Sequence, residues 1–315
     1  MNNEVKLSKA LIVAIALALI ASYIQPLSIL GLVVAVPYAI IGTIGNKKHY
    51  IVSIIVTFVV LMVSVDFMYA INISIFSVVP GFVIGILGKK NLLNDQDNKF
   101  EPIYGGTLVF VLCTIVFFFI AKNIFDINMI EEFVNIMSNT INSQLEVLKT
   151  SNPSIVEGIR EEDIVNGIRN IIPTALFFQG MILAILIYCS EIFVLKRMKK
   201  TDLQLPRIRN FYLPGNAVLA SFMLYMLVLF IELININLYT ELIMVNLQLV
   251  FSFMFTIQGI AVCISYVSRW RTKGQSKNIL FGALMLGITG FTGISFIGML
   301  DSIIDFRKVR SYKST

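Results

Sequence analysis

Charged residues are scarce in this chain of 315 residues. Only 14% of the residues are Asp, Glu, Lys or Arg, and 57% are hydrophobic. Soluble domains average about 25% charged and about 45–50% apolar residues. A cleaved signal peptide does not explain this composition, because apolar runs recur to the end of the sequence. The sequence therefore predicts an integral membrane protein.

The residue types that most often build catalytic and metal sites are also rare. The single histidine, His49, lies next to two lysines. Cys113, Cys189 and Cys263 lie in separate apolar runs without CxxC spacing, so neither a zinc site nor a disulfide framework is predicted. The sequence has no GxxxxGK[ST], HExxH or GxSxG motif. We therefore expect no enzyme, no cofactor and no bound metal, and we expect any ATP-driven step to depend on another protein.

Long apolar runs predict an all-α, polytopic transmembrane helical bundle. A helix that crosses a bilayer needs roughly 20 mostly apolar residues. Eight candidate spans cover residues 8–25, 27–45, 50–71, 74–88, 103–125, 171–195, 215–235 and 239–267. A further apolar run, residues 278–300, is interrupted by glycines in the string GITGFTG. This run forms either a hairpin of two short helices or a single ninth crossing.

Lys and Arg clusters predict the orientation of the spans. Such clusters mark the cytoplasmic loops of membrane proteins, and here they follow alternate spans, from Lys6 and Lys9 to the RWRTK string at residues 269–273. The amino terminus is therefore predicted in the cytoplasm, with the protein in a bacterial cell membrane. The net charge of +6 reflects this topology and does not indicate a nucleic-acid partner. The basic tail is cytoplasmic if 278–300 is a hairpin and external if it crosses once.

The one long polar interruption, residues 126–170, is acidic and is predicted outside the cell. Its first part carries apolar residues at spacings of three and four, which indicates one face of an amphipathic helix: Ile130, Phe133, Val134, Met137, Ile141, Leu145 and Leu148. The string NPS at residues 152–154 is typical of the start of a second helix. We expect this helical pair to be a structural cap, a moving lid or a partner contact. The chain thus divides into residues 1–200, a six-span bundle with this insertion, and 201–315, with additional membrane helices.

Two groups of residues are candidates for function. Ala10, Ala14 and Ala18 share one helix face, because they lie four residues apart, and small residues let helices approach closely in lipid. We predict that this face docks against another helix. Ionisable groups within spans are costly and are functional candidates by default. Those that we interpret as possible ligand or pathway residues are Asp66, Glu191 and Glu232.

Other polar residues are expected to have structural roles. The cytoplasmic string LPRIRNFYLP, residues 205–214, is interpreted as an interfacial brace. Asp301 and Asp305 are predicted to share a helix face and to pair with arginines of the preceding loops, which would hold the tail on the cytoplasmic side. The proposed brace comprises Arg207, Arg209, Asp301, Asp305 and Arg307. Three amides are expected to join helices by hydrogen bonds: Asn246, Gln248 and Gln258.

Three strings carry a family resemblance: ALIVAIALALIASYIQPLSIL near the amino terminus, LPRIRNFYLP, and GMLDSIIDFRK near the end. On these strings the chain resembles the YybS-like family of predicted bacterial membrane proteins, which is remotely similar to the substrate-binding S components of energy-coupling-factor (ECF) transporters. In S components, six helices form a bundle with a substrate pocket near the outer face. An AxxxA face on their first helix packs on a transmembrane T subunit, which works with separate ATPases.

The resemblance implies a subunit that captures an unknown small molecule from outside the cell and couples to such an energising module. It assigns the contact with the T subunit to Ala10, Ala14 and Ala18. A non-transporting scaffold or regulatory protein of a membrane complex is the alternative that we leave open.

Overall fold

The chain forms two compact units, Met1–Leu205 and Pro206–Thr315. The computed structural model describes residues 3–24, 33–93, 99–151, 160–198, 205–213, 216–234 and 239–309, and these residues form helices and short connections without a β-strand. The protein is therefore all-α, as predicted. The sequence analysis places the division between the two parts after residue 200.

The first unit contains eight α-helices in its described residues. They are α1 (Asn3–Tyr23), α2 (Ala35–Ile44), α3 (Lys47–Ser64), α4 (Phe67–Ile73), α5 (Val79–Leu93), α6 (Glu101–Phe125), α7 (Met129–Ser151) and α8 (Glu161–Arg197). A single π-helical turn, Ser74–Val78, joins α4 to α5 without a break. Five runs are long and apolar enough to cross a membrane: Glu4–Tyr23, Lys47–Ser64, Phe67–Lys90, Glu101–Phe125 and Glu162–Arg197.

Helix α2 differs from the predicted second span, residues 27–45. Its ten residues extend only about 15 Å, which is half the thickness of a bilayer core. All of its residues from Ala35 to Thr43 are buried by the protein. The helix is apolar on every side because other helices surround it. Composition alone does not distinguish such a buried helix from one that contacts lipid. Residues 25–32 lie outside the described part of the chain.

The boundary between the predicted spans 50–71 and 74–88 is also wrong. Helix α3 ends at Ser64, and the next helical run begins at Phe67. The Asp66 carboxylate accepts a hydrogen bond from the backbone N–H of Tyr69 at 2.7 Å, so it caps this second run. Asp is a preferred residue at this position, because its side chain satisfies an N–H group that has no partner within the helix.

The described residues of the acidic insertion form one helix, α7, and the first part of a spanning helix, α8. In α7 the predicted apolar face is buried at Val134 and Leu145 and half-buried at Met137 and Ile141, whereas Ile130 and Phe133 are exposed. Helix α8 continues without a break from the insertion into the predicted sixth span. Its 37 residues extend about 55 Å, so part of α8 projects beyond the bilayer core. The NPS string at residues 152–154 lies outside the described residues.

The second unit contains a 3₁₀ turn (Ile208–Asn210) and the helices α9 (Ala217–Leu233), α10 (Thr240–Thr272) and α11 (Ser276–Ile304). Helix α10 is long and apolar enough to cross a membrane; α9 and the run Gly290–Ile304 are shorter apolar helices. Gly290 interrupts α11 with φ 59° and ψ −151°, a conformation that is open to glycine because it has no Cβ.

The end of α11 contacts the segment that precedes α9. The Arg307 guanidinium donates hydrogen bonds to the backbone carbonyls of Arg209 and Phe211. If α9 and α10 each cross the membrane once, α11 begins on the same side as this segment. Its two ends then lie on one side of the membrane, which favours the predicted hairpin over a ninth crossing.

Close backbone contacts at glycines hold helices together in both units. A Cβ atom on Gly85 of α5 would collide with the backbone of Ala39 in α2, and one on Gly81 would collide with the carbonyl of Ala35. In the second unit, a Cβ on Gly259 of α10 would collide with the backbone of α11. Small residues four positions apart permit such approach in membrane helices. Gly81 and Gly85 form a GxxxG pair that the sequence analysis did not single out.

Candidate functional site

Glu191 is buried between three helices of the first unit. It lies on α8 and is 1% exposed. Its Oε1 atom is in hydrogen-bonding contact with the hydroxyl of Thr43 on α2. On the third side, a Cβ atom placed on Gly88 of α5 would lie 3.5 Å from Oε1, so the glycine packs directly against the carboxyl group.

The oxygen atoms around Thr43 outnumber its single hydroxyl proton. Its Oγ1 atom lies 3.0 Å from the carbonyl oxygen of Gly85 and 3.1 Å from that of Ala39, in addition to its contact with Glu191. The second carboxyl oxygen of Glu191, Oε2, is buried and has no hydrogen-bond partner among the described residues. Buried polar groups are normally hydrogen-bonded, so an exception requires an explanation.

The buried carboxyl lies close to the basic ends of its helices. Glu191 precedes Arg197, at the end of α8, by six residues, or about 9 Å of helix. On α5, the ammonium group of Lys89 donates a 3.0 Å hydrogen bond to the carbonyl of Gly45, just beyond the end of α2. The end of α2 and the basic ends of α5 and α8 therefore lie at this end of the unit.

A pocket of about 320 Å³ lies at the opposite end of α8. Lys122 of α6 and Arg169 of α8 supply two cations to its wall, and Glu131 of α7 supplies one carboxylate. Phe118 and Ile130 contribute apolar surface. We call this cavity the outer pocket. Arg169 and Glu191 are 22 residues apart on α8, which corresponds to about 33 Å, close to the thickness of a bilayer core.

Within the first unit, the structure does not bring Asp66 together with Glu191. Asp66 is exposed at the start of the helical run formed by α4, the π-helical turn and α5. Gly88, which packs against Glu191, lies near the other end of that run. Glu232 belongs to the second unit, where it is exposed one residue before the end of α9. Of the three ionisable candidates, only Glu191 is buried in the interior of a unit.

The alanine face of α1 packs inside the protein. Ala14 and Ala18 are fully buried in a cluster with Val34, Tyr38 and Leu61, and Ala10 packs against the edge of this cluster. The face therefore docks against helices of its own chain. The space beside Ala14 and Ala18 is filled by the protein itself, and the contact of Ala10, Ala14 and Ala18 with a T subunit stays a prediction.

Several residues of the predicted brace contact one another in the second unit. Asp301 and Arg307 form a buried ion pair, with Nη2 and Oδ2 2.9 Å apart. Arg209 takes part through its backbone carbonyl, and its side chain is exposed, as is that of Arg207. The expected pairing of Asp301 and Asp305 with arginines of the preceding loops stays a prediction.

Asp305 and Gln258 complete this arrangement. Asp305 lies just beyond the end of α11 in a left-handed conformation, with φ 52°, and its side chain accepts a hydrogen bond from the N–H of Val309. Gln258 accepts from the N–H of Leu213 and donates to Asp301. The amide therefore joins α10 to α11, as expected from the sequence.

The spanning helices define an all-α integral membrane protein with several spans. The chain belongs to a family described as Predicted membrane protein (DUF2232), whose model matches residues 12–302. Neither the curated proteins nor the solved structures include a match to this chain.

Sequence reasoning missed Thr43 and the outer pocket as parts of a site. Lys122 and Arg169 were visible as isolated basic residues on the predicted outer side, among many acidic ones. Their meeting at one pocket depends on the packing of α6 against α8, which no local pattern shows. Thr43 was visible as a hydroxyl in an apolar run, but such residues commonly bond their own helix.

Proposed function

We propose that this protein is a transport-related membrane protein that captures a small molecule at the outer pocket. The observation that carries the proposal is the pair of cations, Lys122 and Arg169, on the wall of that pocket. Polar groups that converge on a partly apolar cavity are characteristic of small-molecule sites, and the volume of about 320 Å³ lies within the range of about 300–1,000 Å³ of such sites.

The lining of the outer pocket indicates the chemical class of the ligand. Two cations face one carboxylate, Glu131, so the net charge of the wall is positive. Arg binds planar carboxylates through two parallel hydrogen bonds, and Lys adds a point charge. Phe118 and Ile130 offer contact to an apolar portion. We therefore propose a small organic anion that combines a carboxylate with an apolar group.

The distribution of charge supports the orientation of this pocket. Basic residues cluster at the end of the first unit where α2, α5 and α8 end, and the acidic helix α7 lies at the other end. By the positive-inside rule, the outer pocket faces away from the cytoplasm of a bacterial cell membrane, and the amino terminus is cytoplasmic. The resemblance to S components, which bind substrate near the outer face, supports the same orientation.

The burial of the alanine face affects which surface of the protein could contact an ATP-driven module. The resemblance favours a separate ECF-type module with a T subunit and ATPases. Because Ala14 and Ala18 are fully buried, we propose that coupling to such a module uses a different surface of the protein. Copurification of ATPase subunits with the wild-type protein tests this coupling independently of the ligand.

Native mass spectrometry of the protein extracted with its own lipids tests the proposed function. We expect a small-molecule adduct on the wild-type protein, and at least a tenfold lower occupancy for the double variant Lys122→Ala, Arg169→Ala. Arg160→Ala is the matched control, since Arg160 is an exposed arginine that pairs with Asp163 and does not line the pocket. Equal occupancy in the double variant would contradict the proposal. A stable membrane partner recovered without any small molecule would favour the scaffold instead.

A further inference from the structure

We propose that Glu191 is a proton-binding site, in which the neutral carboxylic acid is held by Thr43 against the backbone of α5. The inference goes beyond the proposed function, because a proton site at the basic end of the unit does not require a ligand in the outer pocket. It rests on three observations in the first unit: burial, the hydrogen-bond count around Thr43, and the positions of the nearby charges.

Burial argues against an ionised carboxylate at this position. Glu191 is 1% exposed, and its Oε2 atom has no hydrogen-bond partner among the described residues. A buried carboxylate is strongly disfavoured unless it is paired with a cation and its oxygens accept hydrogen bonds. A neutral acid leaves only a carbonyl-type oxygen without a partner at Oε2, which carries a much smaller penalty.

The hydrogen-bond count around Thr43 indicates where the proton lies. The hydroxyl has one proton, and three oxygens are in reach, on Gly85, Ala39 and Glu191. If Thr43 donates to the carbonyl of Gly85, its oxygen is free to accept. A proton on Oε1 of Glu191 then completes the contact, with the acid as donor and the hydroxyl oxygen as acceptor. Every short oxygen contact between Thr43, Gly85 and Glu191 is satisfied in this way.

The two lysines of α5 near Glu191 contact other groups. On α5, Lys89 donates to the carbonyl of Gly45. Between α5 and α6, Lys90 pairs with Glu101 at 2.9 Å. Helix α2 has no charged residue. The cations of α8 are Arg169, which lies 22 residues before Glu191, and Lys196 and Arg197 at the end of the helix. None of these cations contacts the Glu191 carboxyl, so none compensates a negative charge there.

The site couples protonation to helix packing. The neutral acid is compatible with the packed arrangement of α8 against α2 and α5. Loss of the proton would leave an anion that needs water or a cation, so it favours separation of α8 from Thr43. By linkage, conditions that bind the proton stabilise the packed arrangement and conditions that remove it favour the open one.

Infrared difference spectroscopy of the whole protein in lipid nanodiscs tests the assignment. The spectrum of a protonated carboxylic acid contains a carbonyl stretching band that shifts in D₂O. We expect this band in the wild-type protein and its loss in Glu191→Gln, whereas Glu232→Gln, a change of an exposed span residue, leaves it in place. Thr43→Val should shift the band by removing the acceptor of the acid proton, and Thr43→Ser should keep its position. A band that is unchanged in Glu191→Gln would overturn the proposal.

Labelling with a lipid-soluble carbodiimide tests the wild-type protein without a substitution. The acid oxygen adds to the carbodiimide carbon and its proton passes to a carbodiimide nitrogen; the O-acylisourea then rearranges to a stable N-acylurea without a leaving group. Peptide mapping should find this adduct on Glu191. No adduct on the folded protein at any pH would overturn the assignment. Protection by Na⁺ at fixed pH would also overturn it, since the site would then bind a metal cation.

Discussion

Two buried acidic residues illustrate how single side chains shape this protein. Asp301 of the second unit accepts hydrogen bonds from Arg307 and Gln258, so its charge is compensated inside the protein. Among the described residues, the Glu191 carboxyl of the first unit has one hydrogen-bonding contact, to the hydroxyl of Thr43. Compensated charges are typical of structural networks, whereas an isolated ionisable group within a membrane span is a functional candidate. The contrast explains why we assign a structural role to Asp301 and a proton site to Glu191.

Removing one partner of the buried pair should destabilise the second unit strongly. We expect Arg307→Met to lower the free energy of unfolding by about 3–5 kcal/mol, because it leaves the Asp301 carboxylate buried without its cation. The double variant Asp301→Leu, Arg307→Met should recover part of that loss. Denaturant titration in detergent measures both values. Arg271→Met, at an exposed position, serves as the control, and equal losses at positions 271 and 307 would contradict the account.

At the scale of the helices, close approach of backbones determines the packing. Gly85 permits α5 to contact the backbone of Ala39 in α2. We expect Gly85→Ala to destabilise the protein by ~1–3 kcal/mol, because the added methyl group has no space. Gly167→Ala is the matched control: it changes a helical glycine with open space around it, and it should stabilise α8 by up to about 1 kcal/mol. Thermal unfolding in detergent measures the stability of both variants. An equal change in stability for Gly85→Ala and Gly167→Ala would contradict the packing argument.

The buried alanine face makes a second prediction about helix packing. Ala14→Leu should destabilise the protein by ~1–3 kcal/mol, because the larger side chain overpacks the cluster that surrounds α1. Val13→Leu changes the neighbouring, exposed position and should have little effect on unfolding. If Ala14→Leu kept full stability but lost a copurifying membrane partner, the face would be a docking surface after all.

The sequence predicted the helical elements better than their ends and contacts. Hydropathy and spacing predict that most apolar runs are helices, because backbone groups in lipid must be satisfied within the helix. The end of α3 was misplaced because Asp66 was interpreted as a residue within a span, whereas its side chain caps the next helix. Burial of α2 was not predictable, since protein and lipid are equally apolar surroundings for its residues.

The candidate site was predictable only in part for the same reason. Glu191 was found because an acidic residue in an apolar run is unusual. Its partner Thr43 lies 148 positions away in the sequence, and their contact depends on how α8 packs against α2. Likewise, the pairing of Asp301 with Arg307 depends on a turn of the chain after Ile304, at Asp305, which has a left-handed conformation. The spacing of four residues between Asp301 and Asp305 predicts a continuous helix and therefore does not indicate this turn.

At the scale of the first unit, two polar features lie about 33 Å apart along α8. The outer pocket with Arg169 lies near one end, and the buried carboxyl of Glu191 lies near the basic end. A protein that takes up a small molecule from outside needs the pocket to face away from the cytoplasm. The orientation of α7 and of the basic helix ends is therefore the central claim of the account.

Cysteine labelling in intact cells measures this orientation directly. In a background with Cys113, Cys189 and Cys263 changed to Ala, Ser143→Cys places a thiol on the exposed face of α7, and Lys48→Cys places one at the exposed start of α3. We predict that a membrane-impermeant maleimide labels position 143 in intact cells and reaches position 48 only after the cells are permeabilised. Labelling of position 48 in intact cells, with position 143 protected, would contradict the account.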